Sequence, residues 1–354
     1  MNDPGRGGRP ARVPSIDVLR GIAAFSVMLH HFVVRGSLYG GDAAMPVMLE
    51  PFARYGHMGV PMFFVISGAV LPLSLAAGGY AFRDAPRFVA KRLIRLEPVY
   101  LVSIVATVTL WWAATKTSAF NGPALAPTPM AIASHLAYLT ALLGYDWLCP
   151  VYWTLGLEFQ FYLVMAAAFP ILEHGTAWLR TPLLVGLMTL DVLDVPDTFF
   201  AGWGSLFAVG IAAFYVRDSI RRHPLDIVTC VLGLLVILTD RGLPEFVVAA
   251  LTVAVIVTDG LPRFVPLVWL GTISYSLYLF HWIVGQKIVN IGGRLAMDGL
   301  QRAIWLTAGI VGSIAASWLV YRFVELPSQR VASRIRYSGD AAIPPCGDVR
   351  QASL

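Results

Sequence analysis

Long apolar stretches separated by short polar segments cover most of the 354-residue chain. Many of them have the roughly 17 to 25 apolar residues that a helix needs to cross a bilayer. The pattern therefore predicts an all-α, polytopic integral membrane protein with about ten transmembrane helices around a polar interior cavity. The predicted spans are 15–34, 58–77, 98–116, 151–173, 181–196, 199–216, 225–239, 244–259, 267–289 and 303–322.

The segment 130–146 is apolar enough to be an eleventh span, and the distribution of charge decides its assignment. With this segment on the outer side, the inner loops and tails hold 18 Lys and Arg residues and the outer loops hold seven. Counting it as a span would move the arginine-rich C-terminal segment outside, although Lys and Arg concentrate on the cytoplasmic side. We therefore expect a plasma-membrane protein with ten spans and both termini in the cytoplasm.

One membrane domain, residues 15–328, is expected to hold all the spans between cytoplasmic tails at 1–14 and 329–354. The C-terminal tail is short and polar, which is typical of disorder. Within the domain, 78–97 predicts a basic amphipathic helix at the cytoplasmic surface. The outer loop 117–150 is expected to contain an outer-face or re-entrant helix, whose ends must be covered by protein.

The composition excludes a soluble globular protein. Hydrophobic residues make up 57% of the chain and charged residues 13%, about half the charged share of a typical soluble domain. The net charge of +5 comes almost entirely from arginines between the spans, so it indicates membrane topology rather than nucleic-acid binding. The cysteines, Cys149, Cys230 and Cys346, have neither the number nor the spacing expected of a disulfide framework or a metal site.

The first predicted helix carries Arg20 and His31, two residues that are costly to place in a membrane. Eleven residues of helix rise about 16 Å and return to within about 20° of the same direction, so both side chains share one face. Asp17 is placed to pair with Arg20, and His30 points about 100° away, which indicates a structural role. A cation near the cytoplasmic end of one helix face and an imidazole in its outer half suit a long ligand that lies along the helix. The alternative is an arginine that reaches the membrane surface and an interfacial histidine.

Two later helices add ionisable groups at a similar depth. Glu158 lies about 10 Å below the outer end of the fourth span, and His281 lies in the ninth span near the level of His31. Three such groups from three helices predict a site, although hydrogen-bonded packing is the alternative for each. Polar and aromatic neighbours are supporting candidates, with membrane anchoring or helix packing as their alternative role: Trp153, Ser274 and Tyr275.

A basic segment precedes the third span. Arg87, Lys91 and Arg95 recur every four residues along one helix face, and Arg92 lies beside them. Such a helix either binds anionic lipid and sets topology, or it captures phosphates, for which guanidinium groups are well suited.

Acyl-CoA has the matching polarity, with phosphates at one end and a thioester at the other. A neutral imidazole can take the proton of a hydroxyl that attacks the thioester and return it to the thiolate. An acyl-histidine intermediate is equally compatible with these residues.

Six motifs, in the order of the chain, resemble the membrane acyltransferase-3 family and together cover about 15–328. Each is weakly specific alone, and their order makes the resemblance strong. Val18 and Thr154 stand where Gly and Ser are usual, which leaves the assignment unchanged. The motifs are IDVLRGIAAFSVMLHHF (16–32) with its Arg-x10-His spacing, GVPMFFVISGAVL (59–71), KRLIRLEPVY (91–100) with its Arg-x-x-Arg, WTLGLEFQFY (153–162), GTISYSLYLFHW (271–282) and VELP (324–327).

The resemblance implies a ten-helix fold and an acyl-CoA donor, which is a substrate rather than a resident cofactor. Family members acylate surface polysaccharides, lipopolysaccharide, peptidoglycan, Nod factors and macrolides. We therefore predict an O-acyltransferase, with acetyl favoured, acting on a hydroxyl of a cell-surface carbohydrate, lipid-linked glycan or secreted metabolite. The alternative is a proton-coupled exporter that uses the ionisable groups as a relay. The expected site residues are His31 and Glu158 for catalysis, and Arg20, Lys91, Arg92 and Arg95 for donor binding.

Overall fold

The computed structural model describes six stretches of the chain, and across them it contains helices and turns and no strand. Each predicted apolar stretch is helical over most of its length, which confirms an all-α membrane bundle. The described stretches are residues 13–39, 45–117, 127–191, 196–218, 221–296 and 298–339. The helices are α1 (Pro14–His30), α2 (Glu50–Tyr55), α3 (Gly59–Ala77), α4 (Ala85–Ala114), α5 (Pro129–Leu136), α6 (Trp153–His174), α7 (Ala177–Thr189), α8 (Gly204–Arg217), α9 (Pro224–Asp240), α10 (Leu243–Thr258), α11 (Val265–Thr272), α12 (Ser274–Phe280), α13 (Gln286–Leu295), α14 (Gly299–Val320) and α15 (Leu326–Ala332).

Six helical segments are long and apolar enough to cross a membrane, and α11 with α12 and α13 makes a seventh if that bent pair is one span. The two halves of the pair meet at an angle of 68°. The helices α7, α9 and α10 have 13, 17 and 16 residues, so they rise only about 20 to 26 Å. The multi-pass character is therefore confirmed, while the count of ten spans stays a prediction.

Helix α1 crosses α11 at very short range. A Cβ atom at Gly271 would lie 1.9 Å from the carbonyl oxygen of Asp17, and one at Gly21 would lie 2.2 Å from that of Leu267. Two helix backbones approach this closely only where small residues leave room. The crossing therefore fixes the first half of α1, which carries Arg20, against the start of the bent pair.

The largest apolar core lies between α3, α6 and α8. Twelve of the 14 residues of α8 are buried, as expected of a helix that is apolar all round. Phe64 of α3 stacks on Phe207 of α8 with ring centres 4.8 Å apart, and Phe161 of α6 lies 4.3 Å from the same ring. These contacts hold α3 and α6, two walls of the site described below, in a fixed relation.

Three helices continue into π turns, at His31–Arg35 after α1, at His281–Gly285 after α12 and at Tyr321–Glu325 after α14. Isolated π turns within helices are rare and recur at functional sites. The first two begin at histidines that the sequence singles out, and the third ends at a buried glutamate. The backbone irregularities therefore coincide with ionisable side chains.

The predicted basic helix at 78–97 and the third span form one continuous helix, α4, which starts at Ala85 and passes the expected boundary at residue 97 without a break. The ambiguous segment 130–146 holds the end of α5, a helix of eight residues, followed by turns. A helix of eight residues rises about 12 Å and cannot cross a bilayer.

Residues 329–339 correct the expectation that the C-terminal tail is disordered from residue 329. Helix α15 packs against α4, the ring of Tyr337 is buried, and Ser338 Oγ donates a hydrogen bond of 2.7 Å to Asp84. Burial of the ring and the bonds to Asp84 offset the entropy lost on ordering this segment. Residues 1–12 and 340–354 lie outside the described part of the chain.

Candidate active site

A cavity of about 130 Å³ lies between α1, α3, α4, α6, α12 and the π turn Tyr321–Glu325. Three arginines line it, Arg20 from α1 and Arg92 and Arg95 from α4. Most of the remaining wall is apolar or aromatic, with Phe63 and Phe64 of α3 among its members. The cavity thus combines an apolar wall with a concentration of positive charge.

The three arginines make no ion pair with any carboxylate within 4 Å among the residues that the structure describes. The Arg92 guanidinium lies over the rings of Phe88 and Tyr162, at 5.4 and 5.2 Å, and its buried Nε atom has no hydrogen-bond partner. Glu158 and Glu325 belong to the same cavity lining but form no ion pair with these arginines, so three positive groups face two carboxylates there. The arrangement therefore favours an anionic ligand, which guanidinium groups bind through paired hydrogen bonds.

Two of these arginines also face a second, more open pocket of about 260 Å³. Arg92 and Arg95 line it together with Lys91 from the same helix. Its opposite wall comes from α3 and from the C-terminal segment, through Ser74, Gln329, Ala332 and Ser333. Arg92 and Arg95 therefore border both spaces.

Two carboxylates join the arginines in the cavity lining. Glu158 accepts a short hydrogen bond from the hydroxyl of Tyr162. Glu325, which is 3% exposed, accepts hydrogen bonds from Ser276 Oγ at 2.5 Å and from Gln329 Nε2 at 2.9 Å. Glu325 is absent from the predicted site residues, although it belongs to the VELP motif that supported the family resemblance.

A histidine pair forms where α1 and α12 pass into their π turns. His31 Nδ1 and His281 Nε2 are 2.8 Å apart, and the rings are nearly coplanar, with an interplanar angle of 5°. His281 is 1% exposed and His31 is partly exposed. The predicted meeting of these two residues, which are 250 positions apart, is therefore present in the structure.

The third member of the predicted cluster lies elsewhere. Glu158 lines the arginine cavity and has no hydrogen bond to either histidine, and His31 does not line that cavity. Tyr278 contacts both regions, because it lines the cavity and its ring lies 5.9 Å from that of His281. Tyr278 also accepts a hydrogen bond of 2.9 Å from Thr154. The site has two parts that meet at Tyr278.

The supporting candidates divide between site and packing. Ser274 and Tyr275 line the cavity; Ser274 Oγ is buried without a partner, and the Tyr275 hydroxyl donates to the Leu96 carbonyl at 3.0 Å. Trp153 packs against Trp203 with ring centres 5.5 Å apart and is not among the cavity-lining residues.

Three further residues that the sequence singles out are Asp17, Lys91 and His30, and the structure gives the contacts of each. The structure, which describes both residues, shows no ion pair between Asp17 and Arg20. Lys91 lies 4.8 Å from the ring of Tyr337. His30 faces the carbonyl of Ala53 at 3.0 Å, in keeping with a structural role.

Neither a metal centre nor a cysteine nucleophile emerges from the described residues. No group of three or more His, Cys, Asp or Glu side chains in this part of the chain is arranged to hold a metal ion. Burial raises the pKa of the Cys149 thiol to about 12, so it stays protonated at neutral pH.

The described chain is thus a multi-pass helical bundle with a histidine pair beside an arginine-lined cavity. The chain belongs to the acyltransferase-3 family, whose profile, described as an acyltransferase domain, matches residues 13–322. The protein is thus a membrane acyltransferase.

Several curated proteins are similar to the chain. BcsY of Komagataeibacter xylinus, described as a membrane-bound transacylase, is 29% identical, with 87% of this chain and 81% of BcsY covered. The peptidoglycan O-acetyltransferase OatA of Listeria monocytogenes is 24% identical over 90% of this chain, and the O-acetyltransferase OatA of Staphylococcus aureus is 22% identical over 91%. The chain spans 56% and 58% of the lengths of these two OatA proteins. No solved structure matches the chain.

Proposed function

We propose that this acyltransferase moves an acyl group, acetyl in the first instance, from acyl-CoA to a hydroxyl of a cell-surface carbohydrate or lipid-linked glycan. The observation that carries the proposal is the set of three cavity arginines without a carboxylate partner among the described residues. Family membership favours an enzyme over the exporter alternative.

The donor would occupy both spaces. The phosphates of coenzyme A would lie in the open pocket with Lys91, and Arg92 and Arg95 would hold them from the wall common to the two spaces. The flexible arm would then enter the largely apolar cavity past Arg20. With both termini in the cytoplasm, as the charge distribution predicts, the donor would enter from the cytosol.

The reaction would take place at the histidine pair. His31 takes the proton of the acceptor hydroxyl as its oxygen attacks the thioester carbonyl carbon. The carbon–sulfur bond breaks, and the coenzyme A thiolate receives the proton from His31. The products are an ester and free coenzyme A. Tyr278 lines the cavity and its ring lies 5.9 Å from that of His281, so the thioester would pass this side chain on its way to His31.

Glu158 would act on the donor side. It faces the cavity that holds the three arginines and accepts a hydrogen bond from Tyr162, a ring that also contacts Arg92. A carboxylate in this position limits the mutual repulsion of the guanidinium groups. The acceptor class rests on the two OatA relatives, one of which is named a peptidoglycan O-acetyltransferase.

Acyl-CoA binding by the purified, detergent-solubilised protein tests the donor. Arg92→Ala and Arg95→Ala should each weaken the binding of acetyl-CoA roughly 10- to 100-fold, because each removes charged hydrogen bonds worth about 1.5–3 kcal/mol. Isothermal titration calorimetry measures the change.

Arg83→Ala is the matched control, since Arg83 is exposed and lines neither space. Equal affinity in all three variants and the wild type would contradict donor binding at this site.

Mass spectrometry of envelope glycans from a deletion strain tests the acceptor. The glycan that loses the mass of an acyl group in that strain is the acceptor.

A further inference from the structure

The hydrogen bonds of His281 determine which of its nitrogens carries the proton. Its Nδ1 lies 3.0 Å from the carbonyl oxygen of Leu277, one turn earlier in the same helix. A carbonyl oxygen can only accept, so Nδ1 must be the protonated nitrogen. A neutral imidazole has one N–H group, and the Nε2 of His281 is therefore left with a lone pair.

That lone pair sets the state of the second ring. His31 Nδ1 lies 2.8 Å from His281 Nε2, so His31 must donate through a protonated Nδ1. The Nε2 of neutral His31 then carries the free lone pair. We propose that His281 is a positioning residue for acyl transfer: it holds His31 in the tautomer that presents Nε2 as the base. This inference rests on the proposed function, in which His31 takes the hydroxyl proton.

The packing makes the arrangement rigid. His281 is 1% exposed and begins a π turn, so neighbouring groups surround its ring. The His31 ring meets the Trp282 ring edge-on at 5.0 Å, and the two imidazoles are nearly coplanar. Rotation of either ring would break the bond between them. The geometry thus restricts His31 to one orientation as well as one tautomer.

The pair also serves the second half of the reaction. When Nε2 of His31 takes the hydroxyl proton, the imidazolium still donates Nδ1–H to His281, a neutral acceptor whose lone pair stabilises the charge. The proton on Nε2 then passes to the coenzyme A thiolate, which restores the neutral ring. No net charge is created at His281, whose Nδ1–H remains bonded to Leu277. The arrangement is analogous to the carboxylate that orients a catalytic histidine in hydrolases, with an imidazole in its place.

Kinetics of two substitutions test the role. His281→Ala should lower kcat for acetyl transfer about 10- to 100-fold with little change in KM for acetyl-CoA, as is typical when the group that orients a reacting ligand is removed. His281→Gln should recover much of kcat, because its amide oxygen can accept the same hydrogen bond. A merely structural role predicts equal losses for both variants. An unchanged kcat in a folded His281→Ala protein would overturn the proposal.

A measurement of the resting state separates this proposal from the acyl-transfer function. In ¹⁵N-histidine-labelled protein, NMR shifts distinguish protonated from bare ring nitrogens, and the His31→Ala spectrum assigns the His31 signals. We expect a protonated Nδ1 and a bare Nε2 in the wild type, and a mixture of tautomers in His281→Ala. A His31 protonated at Nε2 would overturn the tautomer assignment whatever the enzymatic activity. A protein with the expected tautomer and no transfer from acetyl-CoA would instead contradict the proposed function.

Discussion

The two adjacent histidines at the end of α1 make different contacts. His30 faces the backbone carbonyls of Phe52 and Ala53, whereas His31 points about 100° away, towards His281. The helical rotation between neighbours thus decides which imidazole meets the second helix. The sequence predicts this difference, because it depends only on helix geometry.

Single replacements of His31 and of His30 should distinguish a catalytic role from a structural one. His31→Ala should lower the rate of acetyl transfer by about 10²- to 10⁴-fold, the usual contribution of a general base, while the protein still inserts and binds acetyl-CoA. A radiolabelled acetyl-transfer assay on reconstituted protein measures the rate. His30→Ala is the control, and it should keep most of the activity. An active, correctly inserted His31→Ala protein would contradict the proposed chemistry.

At the scale of whole helices, the site depends on how closely the elements cross. Gly271 and Gly21 let α11 approach α1 until backbone atoms touch, which sets the position of Arg20 in the cavity wall. The C-terminal segment adds a second constraint, because α15 packs against α4 and closes one side of the open pocket. Neither contact can be read from the hydropathy of the individual helices.

A methyl group at the α1–α11 crossing should destabilise the bundle. Gly271→Ala places a Cβ 1.9 Å from the Asp17 carbonyl oxygen, so the helices must separate at a cost of about 1–3 kcal/mol. Thermal unfolding in detergent should show a lower Tm. Gly186→Ala in α7 meets nothing within 4 Å and should leave Tm unchanged or raise it slightly. Equal Tm values for both variants would argue against the close crossing.

A negative charge on the C-terminal segment should oppose donor binding. Ser333 lines the open pocket opposite Lys91 and the two arginines. Ser333→Glu should weaken acetyl-CoA binding by about 1 kcal/mol, roughly five-fold in Kd, through repulsion of the coenzyme phosphates. Ser333→Ala removes the hydroxyl without adding charge and serves as the control. A Glu variant that binds as tightly as the Ala variant would place the phosphates elsewhere.

For the molecule as a whole, the sidedness of the termini decides how donor and acceptor reach the site. The predicted topology, with both termini in the cytoplasm, follows from the distribution of Lys and Arg. The short α5 and the turns after it agree with a segment that does not cross the membrane. If the ten predicted spans all cross, the number of crossings is then an even number.

Reporter fusions test that topology. A fluorescent protein fused after residue 354 should fluoresce, because it would lie in the cytoplasm. Alkaline phosphatase fused after Gly144, in the turn region that follows α5, should be active because it would lie outside. A fluorescent protein that is dark at the C-terminus, in a chain that inserts normally, would place that terminus outside and contradict the predicted topology.

The sequence predicts the helices, the membrane class and the family, but only part of the site. His31 and His281 meet as their depths indicate, and the arginines of α1 and α4 line one cavity. Glu158 lies with the arginines rather than with the histidines, one helical turn beyond Thr154, whose hydroxyl bonds to Tyr278. Glu325 was part of the VELP motif but was not chosen as a site residue, since polar residues at a helix end are also expected at a membrane surface.

By itself, the sequence determined that this protein is an all-helical, multi-pass membrane acyltransferase, where its apolar segments lie and which residues are its chemical candidates. Hydropathy, helical periodicity and motif order are properties of the linear chain, so they can be read without a fold. Only the tertiary structure decided which candidates meet: a pair of imidazoles 250 residues apart, a cavity with three arginines, and a C-terminal segment packed against α4. Those contacts depend on helix rotation and on crossings at single glycines, which many distant residues determine together.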